Sequence, residues 1–136
     1  KAVSQKLMPV GDVLEGRRII IVDDSIVRGT TAKKIVKMVK KAGAAEVHLR
    51  IASPPITHSC YYGIDTPTRE ELASARMNVE ELRRFLEADS LRFLSLEDLH
   101  KPINELEGLI GRNSCDACFT GEYADNIAVG KLPVIK

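Results

Sequence analysis

Apolar residues fall along this chain in short bursts whose spacing alternates between that of a strand and that of a helix. Ile19–Val22 is a continuous β-branched run, the pattern of a strand buried on both faces of a parallel sheet. It ends in Asp23-Asp24. Gly29 loosens the turn that follows, and Thr30 or Thr31 is placed to cap a helix running to about Ala42, in which Ile35, Met38, Val39 and Ala42 recur at helical spacing. Gly43 stops that helix. Glu46–Ala52 sets Val47, Leu49 and Ile51 against His48 and Arg50, which predicts a second strand. Strand, helix and strand in this order make a right-handed βαβ unit with a parallel pair.

Beyond it, Ser53-Pro54-Pro55 opens a long loop reaching Pro67. Thr68 with Glu71, and Asn78 with Glu81, are capping-box signals for two short helices. Leu91–Leu94 reads as a short strand, and Ser95 caps a helix starting near Leu96. Lys1–Arg18 is polar and irregular, broken by Pro9, Gly11 and Gly16, and from Gly108 the chain reads as a loop-rich tail. The fold class is α/β, a parallel sheet flanked by helices with a helical, loop-rich C-terminal region. The pattern divides into a lead-in (1–18), a partial α/β domain (19–107) and a tail (108–136).

Composition narrows this little. A net charge of +1 speaks against general affinity for nucleic acid or an anionic membrane, and the chain of 136 residues holds no apolar run near the roughly 18 to 20 residues of a membrane span. No signal-peptide pattern opens it, so a cytoplasmic location is expected. Lys1 is not an initiator Met, and Lys1–Val10 reads like the middle of a longer polypeptide. Three cysteines, two of them in Cys115-Asp116-Ala117-Cys118, do not suit a disulfide scaffold. A metal site and a pair of free thiols both remain open for them.

The chemistry concentrates at the end of the first strand. A buried strand delivers Asp23 and Asp24 to the carboxyl edge of the sheet, where open α/β folds bind ligands. Adjacent carboxylates there accept hydrogen bonds from vicinal hydroxyls or hold a divalent cation. Ser25, Gly29, Thr30 and Thr31 then allow backbone N–H groups to converge on an anion at the next helix N-terminus, with hydroxyls as further donors. A sugar phosphate meets both demands. The run also resembles the first strand of a response-regulator receiver, whose acids bind magnesium. A receiver needs an Asp at the end of a later strand, where this chain has Ala52-Ser53-Pro54-Pro55, and has no use for Arg28-Gly29-Thr30-Thr31.

Ile19–Thr31 resembles the phosphoribosyl pyrophosphate motif of type I phosphoribosyltransferases, and DDSIVRGTT is most similar to the amidophosphoribosyltransferases among them. The likeness continues through Ala42–Val47, Ser53–Ile56, Tyr62–Thr66, Ala88–Leu91 and Cys115–Gly121. It implies that ammonia released from glutamine displaces pyrophosphate from phosphoribosyl pyrophosphate, giving 5-phosphoribosylamine in the first committed step of purine synthesis. Asp23 and Asp24 would contact the ribose hydroxyls and magnesium, and Ser25, Ile26, Val27, Arg28, Gly29, Thr30 and Thr31 would hold the 5-phosphate. The family's glutaminase region and pyrophosphate loop have no counterpart here, and Lys1–Pro9 would be the far end of its flexible loop. The isolated chain is therefore expected to be inactive and the full-length protein a homo-oligomer. Another type I phosphoribosyltransferase, or a phosphoribosyl-pyrophosphate-sensing regulator of purine genes, is the alternative.

Part of this family carries a structural 4Fe–4S cluster on four cysteines. By that resemblance Cys60, Cys115 and Cys118 are three of the ligands, and the fourth lies outside this chain. Met8 and Ala124 depart from the family pattern, which would have asparagine and proline there. His48 reads as a satisfied strand histidine, His58 as a weak candidate ligand and His100 as a surface residue. The lysines of the first helix (Lys33, Lys34, Lys37, Lys40, Lys41) read as a solvated face.

Overall fold

The computed structural model describes residues 11–110 and 114–123, with side chains of 106–110 set aside. The readings placed on Lys1–Pro9, Met8 and Ala124 lie outside these residues. A one-turn helix α1 (Gly11–Leu14) leads into strand β1 (Arg18–Asp23), helix α2 (Thr30–Lys41) and strand β2 (Glu46–Ile51). After the proline loop come a 3₁₀ turn (Arg69–Glu71), α3 (Ala73–Arg76), α4 (Val79–Leu86), β3 (Ser90–Phe93), α5 (Leu96–Ile110) and α6 (Ala117–Thr120). The three strands form one parallel sheet in the order β1-β2-β3, with Ile19 opposite Val47 and Leu49 opposite Leu91.

The core lies on one face of that sheet. Val47, Leu49 and Ile51 of β2 meet Ala32, Val36 and Val39 of α2 and Leu82 and Leu86 of α4, all of them buried. Burying one Leu or Val side chain of this kind contributes roughly 1.5 to 3 kcal/mol. The α2 stripe is centred on Ala32, Val36 and Val39, with Ile35 and Met38 only partly buried. It is thus rotated from the expected Ile35/Met38/Val39/Ala42 face, because α4 packs beside the sheet and draws Val36 inward.

Strand β1 corrects a second expectation. It is not buried on both faces: Ile20 is 62% and Val22 73% exposed, while Ile19 and Ile21 pack against the core. Helices α2 and α4 cover only one face, and among the described residues no element covers the other side of β1. On that second face His48 is satisfied, its Nδ1 2.9 Å from Ser90 Oγ and its Nε2 2.9 Å from Glu46 Oε2.

The caps divide. Asn78 and Glu81 form a complete capping box, the Asn78 side chain accepting from Glu81 N at 2.9 Å and Glu81 Oε2 accepting from Asn78 N at 2.8 Å. Ser95 Oγ accepts from Asp98 N at 3.0 Å and starts α5. The Thr68 side chain makes no cap bond, and Leu72 returns to extended backbone and stops the turn after Arg69–Glu71. Helix α5 continues past Gly108 to Ile110, so the tail begins later than its composition suggests. The lysine face of α2 is also less solvated than expected. Lys37 and Lys33 reach Glu87 at 2.9 and 3.6 Å, Lys40 reaches Asp89 at 3.0 Å, and Lys33 Nζ sits 4.2 Å from the Phe85 ring centroid.

Candidate functional site

The carboxyl end of β1 opens into a cavity of about 330 Å³ lined wholly by the segment Asp23–Ala32. Helix α2 starts from Gly29, whose φ is +76° and which has no side chain to cap the first turn. The opening N–H groups of a helix have no acceptor within it. Here they border the cavity in place of the Thr30 or Thr31 cap expected from sequence, and those threonines are instead the first two helical residues. Such a terminus attracts an anion through its donors and its dipole.

Gly29 is required for space as well as for its backbone angle. A Cβ there would stand 3.3 Å from Phe85 Cε1, 3.4 Å from Leu86 Cδ2 and 3.7 Å from the Ala73 methyl. Ile26, 2% exposed, anchors the other end of the loop in the core. Ile26 thus both borders the cavity and ties the loop to the core. Ala73 N donates to Val27 O at 2.8 Å, tying the middle of the loop to α3.

The acids are poised at the rim. Asp23 Oδ1 accepts from Asp24 N at 3.0 Å, and Asp24 Oδ1 accepts from Ser25 Oγ at 3.2 Å. Among the described residues, the second oxygen of each carboxylate takes no further hydrogen bond, which leaves a pair of anionic acceptors for hydroxyls or a hard cation. Arg28 lines the cavity as well. Its Nε donates to Glu71 Oε2 at 2.7 Å, so its guanidinium is directed to the 3₁₀ turn.

A second site forms where the proline loop meets the tail. Cys60, Cys115 and Cys118, far apart in sequence, line one cavity of about 250 Å³. All three are free thiols, with Cys115 exposed and the others half-buried. Thr57 N and His58 N both lie 3.1 Å from Cys118 O, Thr57 Oγ1 donates to Phe119 O at 3.0 Å, and Tyr123 Oη donates to Ser59 O at 2.6 Å. These bonds join the two cysteine-bearing segments. Burial, and then Cys60, push the Cys118 thiol above its ordinary value. Burial, then the tyrosines and thiols around it, do the same to the Tyr123 phenol.

Among the described residues no three His, Cys, Asp or Glu side chains converge tightly enough for a single metal ion. His58 Nδ1 lies 2.9 Å from Thr57 Oγ1 and its ring lies against Gly121. Burial and then Arg69 lower its pKa, and the ring does not line the thiol cavity. His100, expected at the surface, is half-buried. Its Nε2 comes within 3.1 Å of Asp116 Oδ2, though off the line of a hydrogen bond, and so joins α5 to the Cys115–Cys118 turn.

The parallel sheet, with its paired acids and glycine-started helix at one edge, matches the α/β fold of phosphoribosyltransferase enzymes in two solved structures. A solved structure described as glutamine phosphoribosylpyrophosphate (PRPP) amidotransferase from B. subtilis complexed with ADP and GMP matches at 45% identity and a TM-score of 0.77, over 97% of this chain and 30% of that one. A second, described as the allosteric regulatory enzyme of purine biosynthesis, matches at 52% identity and a TM-score of 0.74, over 85% and 25%. No family model matches the chain. Among curated proteins, amidophosphoribosyltransferase 2, chloroplastic, of Arabidopsis thaliana is 58% identical over 121 residues, 89% of this chain and 21% of its own length. Amidophosphoribosyltransferases of Bacillus subtilis (51%, 93% of this chain and 27% of that protein) and Methanocaldococcus jannaschii (49%, 96% and 26%) follow the same pattern. Over nearly its whole length the chain is homologous to amidophosphoribosyltransferases, and it spans about a quarter of the length of those relatives.

Proposed function

We propose that the chain supplies the ribose-phosphate-binding part of an amidophosphoribosyltransferase, which transfers glutamine-derived ammonia to phosphoribosyl pyrophosphate and gives 5-phosphoribosylamine at the start of purine synthesis. The observation that carries this reading is the Asp23–Thr31 loop between β1 and α2, with Gly29 opening the helix. The backbone N–H groups at the start of α2, with Ser25, Thr30 and Thr31 hydroxyls, bind the 5-phosphate. Asp23 and Asp24 accept from the ribose hydroxyls and hold magnesium. When bound, magnesium offsets negative charge on the departing pyrophosphate. The loop's contribution is positional: a sugar fixed at both its phosphate and its hydroxyls meets the incoming nucleophile in a constant orientation. Ile26 and Gly29 keep that cradle rigid from behind. Arg28 acts through Glu71 on the loop.

Cys60, Cys115 and Cys118 hold a 4Fe–4S cluster whose fourth ligand comes from the remainder of the longer protein. Its role is structural, joining the proline loop to the tail. The glutaminase region belongs to that same remainder, the full-length protein assembles as a homo-oligomer, and nucleic acid and membrane are not partners. Among the described residues no helix is long and apolar enough to cross a membrane. We place the protein in the cytoplasm, which suits three reduced thiols; a plastid location, printed in the names of the plant relatives, is the other outcome of a localisation experiment.

Two measurements test this reading. Calorimetry with ribose 5-phosphate should show binding by the chain that weakens about tenfold or more for Asp24→Asn. The full-length protein should release pyrophosphate with ammonia, whereas the 136-residue chain should not. Pyrophosphate release by the chain alone would overturn the partial-site account.

A further inference from the structure

Two cavities meet at Tyr123. The thiol cavity of about 250 Å³ holds Cys60, Cys115 and Cys118. Behind it lies a larger cleft of about 540 Å³ bordered by His58, Tyr61, Pro67 and Arg69. Cys60, Thr66 and Tyr123 line both, so these three residues form the wall between them.

Tyr123 has the largest side chain of the three. Cys60 and Thr66 are small, and both are held in place, since Thr66 Oγ1 accepts from Cys60 N at 2.7 Å. The Tyr123 ring is fixed on two sides. Its centroid lies 5.1 Å from that of Tyr61 and 6.1 Å from that of Tyr62, and its hydroxyl donates to Ser59 O at 2.6 Å. Tilted aromatic contacts at such distances are favourable, and the hydroxyl bond sets the ring's height in the wall.

The geometry points to Tyr123 as a positioning residue that shields Cys118 from the neighbouring cleft, which Cys60 itself borders, and clamps the Cys60 segment to the Cys115–Cys118 turn. The ring does the shielding, and the hydroxyl keeps the ring in place. Cys115, already exposed, gains nothing from it. What the shield protects, a cluster, rests on the proposal above. The shielding itself concerns only this chain's thiols.

The test is site-resolved alkylation of the reduced, metal-free chain with iodoacetamide, followed at each cysteine by peptide mass spectrometry. Thiol reactivity follows access and thiolate fraction, so Cys115 reacts fastest in the parent chain. In Tyr123→Ala the rate at Cys118 rises about tenfold, with the Cys115 rate unchanged. Tyr123→Phe, which keeps the ring, gives a smaller rise than Tyr123→Ala. Rates that stay flat in dilute urea mark local opening; should the alanine variant unfold, Tyr123→Leu carries the same comparison on a folded chain. An unchanged rate at Cys118 in Tyr123→Ala or Tyr123→Leu overturns the shield. So does Tyr123→Phe matching Tyr123→Ala, because the ring would then contribute nothing. Neither result bears on whether full-length protein purified without oxygen contains iron, and an iron-free preparation would contradict the cluster alone.

Discussion

Replacing Gly29 with alanine probes the loop at its most constrained point. The φ of +76° lies where an L-residue costs about 1 to 2 kcal/mol. The new methyl would also stand 3.3 Å from Phe85 and 3.4 Å from Leu86, and crowding of a packed core adds about 1 to 2 kcal/mol. Gly16→Ala separates the two contributions. Gly16 has a similar φ of +68° but nothing within 4 Å of the position its Cβ would take. Gly29→Ala should therefore destabilise by about 2 to 4 kcal/mol and Gly16→Ala by about 1 to 2. Urea unfolding followed by circular dichroism reads this as a larger fall in midpoint for Gly29→Ala, with slopes unchanged. Equal midpoints for the two variants would refute the close packing of the loop against α4.

Three further outcomes follow from the caps and ion pairs. Asn78→Ala should cost about 1 kcal/mol in the same unfolding experiment, and Thr68→Ala less than half of that, because only Asn78 closes a capping box. Asp89 accepts from Val47 N at 2.7 Å and pairs with Lys40 at 3.0 Å, with Val47 N as the first cause of its lowered pKa. A lowered folded pKa means that its stabilisation is full above the ordinary value of 3.8 and is lost as pH falls through the folded value. The stability gap between the parent chain and Asp89→Ala, about 1 kcal/mol after allowing for its partial exposure, should thus be constant above pH 5 and shrink only below about pH 4. Glu71→Gln should change stability by less than about 1 kcal/mol, since the Arg28–Glu71 pair is half exposed, while altering the affinity for ribose 5-phosphate in the same direction as Arg28→Gln. Opposite effects of those two variants on affinity would show Arg28 to be a direct ligand.

Local signals carried much of this fold. Strand β2 alternates in sequence as it alternates in burial, and Asn78/Glu81 and Ser95 close the caps their spacing announces. The failures are tertiary. The β-branched run of β1 does not reveal which of its faces a helix covers, and Ile20 and Val22 look the same as Ile19 and Ile21 until α2 and α4 are in place. Thr68 and Glu71 have capping-box spacing, but the helix they would start ends at Leu72, whose side chain is fully buried. At the candidate site the acids and the glycine were legible from residue type. The capture of Arg28 by Glu71, 43 positions away, and the inward anchoring of Ile26 depend on the 3₁₀ turn and the core, which no local pattern encodes. Tyr123 carried no signal in the sequence at all. Its place between two cavities exists only once the proline loop and the tail are brought together.

The central claim is that the Asp23–Thr31 loop receives a ribose 5-phosphate group. Amide chemical-shift mapping of the isotopically labelled chain during titration with ribose 5-phosphate tests it most directly. The account predicts saturable shifts concentrated on the backbone N–H groups of residues 24–32, strongest at the start of α2, and lost in Asp24→Asn at the same ligand concentration. Shifts confined to other parts of the chain, or none at millimolar ligand, would contradict it.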